Sequence, residues 1–222
     1  MLNEIKTPKF SVIVTEHNSA PFMRKMLDSI RKQTFTDYEL IIVCDRCSDN
    51  TAEIAREYSD TVLEVDFGRC GLARNAALDI AKGEWIIFSD DDDWWIHEFA
   101  FEILAGMAGK QHEDVLAFGF LSRDFVGQDG LNCFYNSPID VLPFYRLWVA
   151  PWNKIMRREF IGDHRFPDWE HSDDLGFAQE VLPLAEDRIT FLDMPLYYYN
   201  YMRPGSIQDR LARGDLKGRR RR

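Results

Sequence analysis

The sequence predicts an α/β protein with a mostly parallel, doubly wound sheet and helices on both faces. In its first half, short apolar segments rich in β-branched residues alternate with segments of helical periodicity. This alternation is typical of β-α-β units, whose right-handed crossovers distribute helices over both faces of a parallel sheet. The predicted strands are 10–15, 38–45, 61–66 and 84–90, and the predicted helices are 19–34, 48–60 and 71–83.

Each of these helices has a local signal of its own. The first follows a Ser-Ala-Pro start and places Leu27 and Ile30 on one apolar face. The second has Asp49 or Asn50 as a candidate N-cap. The third is rich in alanine, which allows close packing, and it is expected to end at Gly83.

The second half of the chain predicts a more mixed set of elements. We expect a helix at 97–110, a hairpin of strands 114–125 and 131–135, a helix at 172–185, and two short strands broken near Pro195. No internal repeat and no linker rich in Pro, Gly or Ser separates the two halves. They are therefore expected to share one core.

Composition and charge exclude several classes of protein. Hydrophobic residues make up 45% of the 222 residues, which excludes a disordered chain, and no apolar run approaches the ~20 residues that cross a bilayer. Without a signal-peptide pattern, the expected location is cytoplasmic. The net charge of −10 argues against a general nucleic-acid binder. The Arg-rich end at 217–222 predicts a solvated tail, and the alternative is a peripheral contact with an anionic membrane or nucleic acid.

Two of the four cysteines form a C-x-x-C pattern. Cys44 and Cys47 lie between a predicted strand and a predicted helix, where a redox pair of the thioredoxin type would also lie. A lone C-x-x-C is a weak signal, and no second C-x-x-C completes a zinc site. We favour two small residues in a loop over a redox pair.

Four consecutive aspartates, Asp90 to Asp93, follow the fourth predicted strand. In an extended segment Asp90 and Asp92 share one side, where their carboxylates can bind a hard divalent cation such as Mg²⁺ or Mn²⁺. The loops after the first two strands carry further acids and meet the same edge of the sheet. An acidic, solvated loop is the alternative interpretation, and the aspartates alone do not decide between the two.

Four segments in order resemble family-2 glycosyltransferases. They are the opening strand, helix and Asp-bearing loop (10–51), an Ala-Arg-Asn helix followed by the D-x-D-D segment (71–95), a Trp-Asn-Lys segment with a later acidic pair (150–177), and a tyrosine-rich strand followed by Arg-x-x-Ser (197–206). The resemblance implies the GT-A fold, a Rossmann-like, mostly parallel sheet with a smaller C-terminal acceptor-side region. It implies a nucleotide-sugar-binding half at 1–112, an acceptor-binding and catalytic half at 113–208, and a basic tail at 209–222.

The resemblance also implies the residues that bind the donor. The expected nucleotide-sugar contacts are Thr15, Glu16, Asp45, Arg74, Asp90, Asp91, Arg203 and Ser206. Asp92 is expected to be the direct ligand of Mn²⁺ or Mg²⁺, assisted by Asp90. Cys44 replaces one acid of the family's usual Asp-Asp pair, so the default of a UDP-linked donor is weakened.

The expected catalytic base is Asp174, which matches the acid of the family's Glu-Asp pair. Asp173 takes the place of its Glu partner and is grouped with the acceptor side. From the residues alone, helix capping is the preferred explanation of two acids before a helix, and the resemblance favours Asp174 as the base. Trp152, Trp169 and Trp94 are candidates for an acceptor platform, with core packing as the alternative for each; Trp95 and Trp148 are expected to be simply buried.

Taken together, these features predict an inverting, metal-dependent glycosyltransferase. It would move a sugar from a nucleoside-diphosphate donor to a hydroxyl of a glycan, a polysaccharide or a lipid-linked saccharide. One alternative is a nucleotide-binding GT-A domain without turnover. Another is a glycosyltransferase that acts on a modified DNA base.

Overall fold

The computed structural model describes residues 7–123, 131–134, 149–201 and 203–215. Its strands are β1 (Phe10–Glu16), β2 (Tyr38–Asp45), β3 (Thr61–Val65), β4 (Trp85–Asp90), β5 (Trp94–Trp95), β6 (Val115–Arg123), β7 (Leu131–Phe134), β8 (Lys154–Arg157) and β9 (Ile189–Tyr199). Its helices are α1 (Met23–Arg31), α2 (Thr51–Tyr58), α3 (Cys70–Leu78), α4 (Ala100–Met107), α5 (Arg158–Ile161), α6 (Asp173–Ala185) and α7 (Ile207–Ala212). Trp148, the turn at 126–130 and the tail at 216–222 lie outside the described residues.

The strands of the described residues form one mixed sheet in the order β3-β2-β1-β4-β8-β6-β9-β5, with β7 beside β6. β1, β2, β3 and β4 are parallel neighbours, so their carboxyl ends lie at one edge. β8 joins antiparallel to β4 and to β6, whereas β9 runs parallel to β6. The predicted α/β fold with a mostly parallel first half is confirmed.

Two apolar layers cover the two faces of this sheet. One contains buried side chains of β1, β2 and β4 together with α1, α2 and α4. The other packs the opposite faces of these strands, through residues such as Ile13 and Phe88, against α3, α5 and α6. Alternate strand residues point to opposite faces, which explains why the central strands read as continuous apolar runs. Side chains of β6 and β8 contribute to both layers.

Three elements differ from the sequence prediction. The two short strands expected around Pro195 are one strand, β9, whose register against β6 shifts at Gly119. The shift accommodates the proline, because a β-bulge is one of the places in a sheet where the missing N–H is tolerated. The short strands β5 and β8 were not predicted. The expected hairpin is present, since β6 and β7 pair antiparallel.

Within the described ranges, no helix has the length and hydropathy that a membrane-spanning helix requires.

At Gly83 the chain passes very close to β1. Adding a single methyl group there should therefore strongly lower the stability of the protein. A Cβ at Gly83 would lie 2.2 Å from the backbone nitrogen of Ser11 and 2.5 Å from the carbonyl carbon of Phe10. Because backbone atoms cannot move aside cheaply, Gly83→Ala should lower the free energy of unfolding by about 3 kcal/mol. Urea denaturation followed by circular dichroism measures this change.

The matched control is Gly106→Ala in α4. Gly106 is exposed, and a Cβ there would meet nothing within 4 Å. This substitution should stabilise the protein by up to about 1 kcal/mol, because alanine favours the helix. Equal effects of the two substitutions would contradict the close approach.

Candidate active site

The loops that follow β1, β2 and β4 meet at the carboxyl edge of the sheet. The imidazole Nδ1 of His17 lies 2.7 Å from the carbonyl oxygen of Asp45, and Oδ1 of Asn18 accepts backbone N–H groups from the loop after β2. Ser19, in the loop after β1, donates its hydroxyl to Oδ2 of Asp91 after β4. The side chains expected to bind the donor are therefore drawn from three converging loops.

Arg74 on α3 links β4 to α6. Its Nη2 donates to Oδ1 of Asp90 at 2.9 Å, and its Nη1 donates to Oδ2 of Asp173 at 3.1 Å. The side chains of Arg74 and Asp173 are only 7% and 12% exposed, so their ion pair is poorly hydrated. Burial raises the pKa of Asp173 and of Asp90, and the positive charge of Arg74 opposes both rises.

Next to the triad formed by Arg74, Asp90 and Asp173, the half-buried Asp91 interacts with the buried Glu16. Burial, followed by the negative charge of Asp92, raises the pKa of Asp91 to about 7. Burial and the charge of Asp91 raise the pKa of Glu16 well above its usual value. The hydroxyl of Ser19 is donated to Asp91, and neither carboxylate oxygen of Glu16 has a hydrogen-bond partner within the described part of the chain. The site thus concentrates more negative charge than its own cations neutralise.

The segment after β9 covers the other side of the aspartates. Nε of Arg203 donates to Oδ2 of Asp92 at 2.6 Å, and the guanidinium lies 4.0 Å from the ring centroid of Phe22. The backbone N–H of Asn200 donates to Oδ1 of Asp93 at 2.8 Å. Asp92, the expected metal ligand, is therefore paired with an arginine in this conformation.

Ser206 lies one turn further along, at the start of α7. Its backbone N–H donates to the carbonyl oxygen of Arg203 at 2.9 Å, and its Oγ accepts the N–H of Asp209 at 3.2 Å. The hydroxyl therefore stabilises the beginning of the helix. Its expected role in binding the diphosphate stays a prediction.

The carboxylate of Asp45 is fully used by the protein itself. Oδ1 accepts the backbone N–H groups of Phe67 and Gly68, both at 2.8 Å, and Oδ2 accepts that of Arg69 at 2.9 Å. The residue is 5% exposed. Both oxygens therefore anchor the loop between β3 and α3, and the expected contact of Asp45 with the nucleotide stays a prediction. Thr15 lies on the same side, with Oγ1 3.4 Å from Sγ of Cys70.

Asp174 is partly exposed in the first turn of α6. Its Oδ1 accepts the N–H of Leu175 at 2.8 Å, so one of its two carboxylate oxygens is fixed by the backbone of the helix. The buried Lys154 on β8 is close enough for electrostatic coupling. Burial lowers the pKa of Lys154 to about 7, and the negative charge of Asp174 opposes this. A carboxylate at a helix N-terminus beside a buried lysine lies in a positive local field.

The candidate acceptor tryptophans lie in different environments. Trp152 is 2% exposed and stacks on Tyr197, with ring centroids 5.1 Å apart. Its expected role as an acceptor platform is corrected to core packing, since a buried ring cannot stack on a sugar. Trp169 is partly exposed and lies over Gly176 of α6. Trp94 is also partly exposed, and it stacks on Tyr198 at 3.9 Å.

Cys44 and Cys47 are free thiols, the first near the end of β2 and the second in the loop that follows. A hydrogen bond from the Cys44 thiol lowers the pKa of Cys47 to about 7, whereas the same contact and burial raise the pKa of Cys44. Cys44 pairs across the sheet with Glu16, so it occupies a sheet position and is 2% exposed. The burial of Cys44 and the partial burial of Cys47 fit the interpretation of both as small structural residues, which we favoured over a redox pair.

Comparison with known proteins identifies the family. The sequence model described as Glycosyl transferase family 2 matches residues 11–164, which is well over half of the chain. The chain belongs to glycosyl transferase family 2. The expectation drawn from the four segments is therefore confirmed.

Relatives and solved structures of this family 2 chain agree on the fold. It is 29% identical to EpsH of Bacillus subtilis over 88% of this chain and 61% of the relative. It is 30% identical to the poly(ribitol-phosphate) β-N-acetylglucosaminyltransferase TarS of Staphylococcus aureus, over 89% of this chain and 36% of the relative. The structure of TarS residues 1–349 in complex with UDP-GlcNAc aligns with a TM-score of 0.77 and 27% identity, over 90% of this chain and 60% of that one. The chain spans less than two thirds of these relatives.

A divalent cation fits the donor set of this family 2 site. The structure of the mannosyltransferase PcManGT from Pyrobaculum calidifontis, which contains GDP-Man and Mn²⁺, shares the fold with a TM-score of 0.72 and 19% identity, over 94% of this chain and 61% of that one. The described residues hold no group of three or more His, Cys, Asp or Glu side chains arranged as a metal cage. Asp90 and Asp92 are hard oxygen donors in a crowded acidic cluster, which suits an ion whose other ligands are water and phosphate.

Two side chains of the site were not assigned from the sequence. Lys154 lies in the Trp-Asn-Lys segment on which the resemblance rests, so the sequence pattern could have identified it as a site residue. Tyr197 accepts the backbone N–H of Asp90 at 3.0 Å, and it comes from the tyrosine-rich strand. A pattern of residues does not show which tyrosine reaches β4, because that depends on the register of β9.

Replacing Arg74, the cation between Asp90 and Asp173, should cause a pH-dependent loss of stability. Arg74→Met leaves Asp90 and Asp173 as partly buried carboxylates without their partner, so the free energy of unfolding should fall by about 3 kcal/mol at pH 7.5. Without Arg74 the pKa values of these acids rise further in the folded state. The loss should therefore shrink as the pH falls toward 5 and the acids bind protons. Denaturant titrations at both pH values measure it.

Arg24→Met is the matched control. Arg24 also pairs with a carboxylate, that of Glu57, at 2.7 Å, but the two side chains are 48% and 53% exposed. Its removal should cost much less than that of Arg74, because water screens an exposed ion pair. A loss at Arg74 that is equally small, or independent of pH, would contradict the proposed burial of the triad.

Proposed function

We propose that the chain is the catalytic GT-A domain of an inverting, metal-dependent glycosyltransferase. The observation that carries this is the bridge through Arg74, which joins Asp90 at the donor-side edge to Asp173 beside Asp174. A carboxylate next to a nucleotide-sugar site is what transfer to a hydroxyl requires. In this proposal, residues 1–112 bind the donor and residues 113–208 supply the base and bind the acceptor.

The donor is a nucleoside-diphosphate sugar. TarS was crystallised with UDP and with UDP-GlcNAc, and its likeness to this chain supports a donor of this class. Thr15 and Arg74 lie on the same side of the sheet edge as the loop that Asp45 anchors. Arg203 and Ser206 are assigned to the diphosphate, because an arginine favours phosphate over a shared carboxylate contact.

The cation of the site is Mn²⁺ or Mg²⁺, with Asp92 and Asp90 as its protein ligands. When bound, it neutralises the charge that develops on the departing diphosphate. Asp91, which is buried beside Asp92, orients the ribose side of the donor in this proposal. Ser19 fixes one oxygen of Asp91 through its hydroxyl.

Asp174 takes the proton of the acceptor hydroxyl. One of its oxygens is fixed by the N–H of Leu175, so the other is the atom that receives the proton. The position of α6 is set by the ion pair of Asp173 with Arg74. These contacts orient the base and limit its motion relative to the donor.

The acceptor is a saccharide or another polyol hydroxyl. Two relatives are named as transferases of poly(ribitol-phosphate), TarS and the β-glucosyltransferase of Bacillus spizizenii, which supports a polymeric surface-glycan acceptor for this chain. Trp169 and Trp94 remain candidates for contacts with it, since both are partly exposed. Trp152 is buried and cannot contact the acceptor.

Asp174→Asn should separate transfer from donor binding. The amide cannot accept the proton, so sugar transfer should fall at least 100-fold. The affinity for the donor nucleotide should change less than three-fold, because Asp174 lies on the acceptor side. Transfer is measured with a panel of nucleotide sugars and oligosaccharide acceptors, and binding is measured by calorimetry.

Asp187→Asn, an exposed aspartate just past the carboxyl end of the same helix, is the control and should leave both quantities unchanged. A variant at Asp174 that transfers sugar normally would overturn the assignment. Wild-type protein that binds nucleotide sugars but transfers none to any acceptor would favour a binding domain without turnover.

Removing the divalent cation should weaken donor binding. Asp92→Asn should weaken the affinity for UDP by about ten-fold or more in the presence of Mn²⁺, and chelation should do the same for the wild type. Chelation should have little further effect on the Asp92→Asn variant, because both act on one interaction. Equal UDP affinity with and without chelator would rule out a metal-dependent site.

A further inference from the structure

The loop between β3 and α3 is held rigidly at the carboxyl edge of the sheet. Asp45, the last residue of β2, accepts three consecutive backbone N–H groups from residues 67–69 of this loop. Gly68 has φ +61°, and the side chain of Arg46 lies against it where a Cβ would be. Such a nest of N–H groups around a carboxylate fixes the loop backbone without any contribution from its side chains.

Phe67 stands on this fixed loop with its ring in solvent. It is 40% exposed, and no aromatic contact of its ring occurs among the described residues. An aromatic ring on a fixed backbone beside a nucleotide site is a candidate for stacking on a base. The rigidity matters, because a stacking contact is worth most when little side-chain and backbone freedom is lost on binding.

The loop adjoins the donor side of the proposed site. Three residues after Phe67, Cys70 begins α3 and its Sγ lies 3.4 Å from Oγ1 of Thr15. One turn later Arg74 reaches Asp90. Phe67 therefore lies at the carboxyl edge of the sheet, close to the ends of β2 and β3. In the strand order this is the end of the sheet opposite β9, after which Arg203 follows.

Asp45 has little capacity left for contact with a base, because its carboxylate already accepts three N–H groups. Both carboxylate oxygens of Asp45 are occupied, and Cys44 is buried in the sheet. Glu16 is also buried, at 2% exposure. The exposed aromatic ring on the adjoining loop is a group that can contact a planar heterocycle from this side.

We propose that Phe67 is the residue on which the nucleobase of the donor stacks, and that Asp45 is a positioning residue that acts through the loop of Phe67. This rests on the proposed function, since it concerns the same donor. Stacking on an aromatic ring is tolerant of base identity, because every base presents a π-face. Phe67 therefore contributes affinity for the base, and selection between bases falls to hydrogen-bonding groups around it.

The test measures the affinity for UDP in the presence of Mn²⁺ by calorimetry. Phe67→Ala should weaken UDP binding about ten-fold, and Phe67→Trp should keep it within about three-fold of the wild type. Phe99→Ala is the matched control, because Phe99 is 41% exposed but lies just before α4. It should leave the affinity unchanged.

A probe without a base separates stacking from a general disturbance of the site. Inorganic pyrophosphate with Mn²⁺ should bind the wild type and the Phe67→Ala variant equally well. Asp45→Asn should weaken UDP binding, and combining it with Phe67→Ala should add little, because the two residues act through one contact. Thermal denaturation confirms that each variant is folded.

The outcomes are distinguishable. UDP binding that is unchanged in Phe67→Ala overturns this inference and leaves the proposed function intact, as does a loss that is equal for UDP and pyrophosphate. Additive losses in the double variant overturn the positioning role of Asp45. A wild-type protein that binds neither UDP nor any other nucleoside diphosphate overturns the proposed function as well.

Discussion

The buried guanidinium of Arg74 fixes the geometry of the whole crevice. It neutralises one acid at the end of β4 and one at the start of α6, two elements that are far apart in the sequence. α3 and α6 approach closely enough for this because the contact includes Gly71, where a Cβ would lie 3.1 Å from Cβ of Asp173. Since buried carboxylates without a partner repel each other, the separation between the donor-side and acceptor-side acids depends on this one cation.

The charge of the crevice suggests why its cations come from both sides. Arg74 reaches the aspartates from α3, and Arg203 reaches them from the segment after β9. Asp91 between them has a pKa raised to about 7, so their two positive charges do not offset all of the acids. Arginine binds phosphate with the same fork that it offers to a carboxylate. A donor that arrives with a divalent cation can exchange the partners of this ion pair. Asp92 would then bind the cation and Arg203 the diphosphate, so neither charge is left unpaired.

The sequence predicted the parts of the fold that depend on long apolar runs. β1, β2 and β4 were found almost at their observed bounds, and because their carboxyl ends define the crevice, the positions of Asp90 and Asp174 followed from topology and resemblance. β5, with only Trp94 and Trp95, is too short to have a periodicity. The burial of Trp152 depends on its stacking with tyrosines of β9, and the sequence does not show that register.

Asp45 shows how a residue can occupy a motif position and have a different task. A carboxylate that already accepts three N–H groups gains little from a further donor, because the net value of a hydrogen bond is small when the acceptor is satisfied. What decides its task is the course of the loop after β3, whose N–H groups point at it. The same charge that could have contacted a base directly instead holds the backbone beneath Phe67. The course of this loop, which sets the task of Asp45, is not revealed by a comparison of residue types alone.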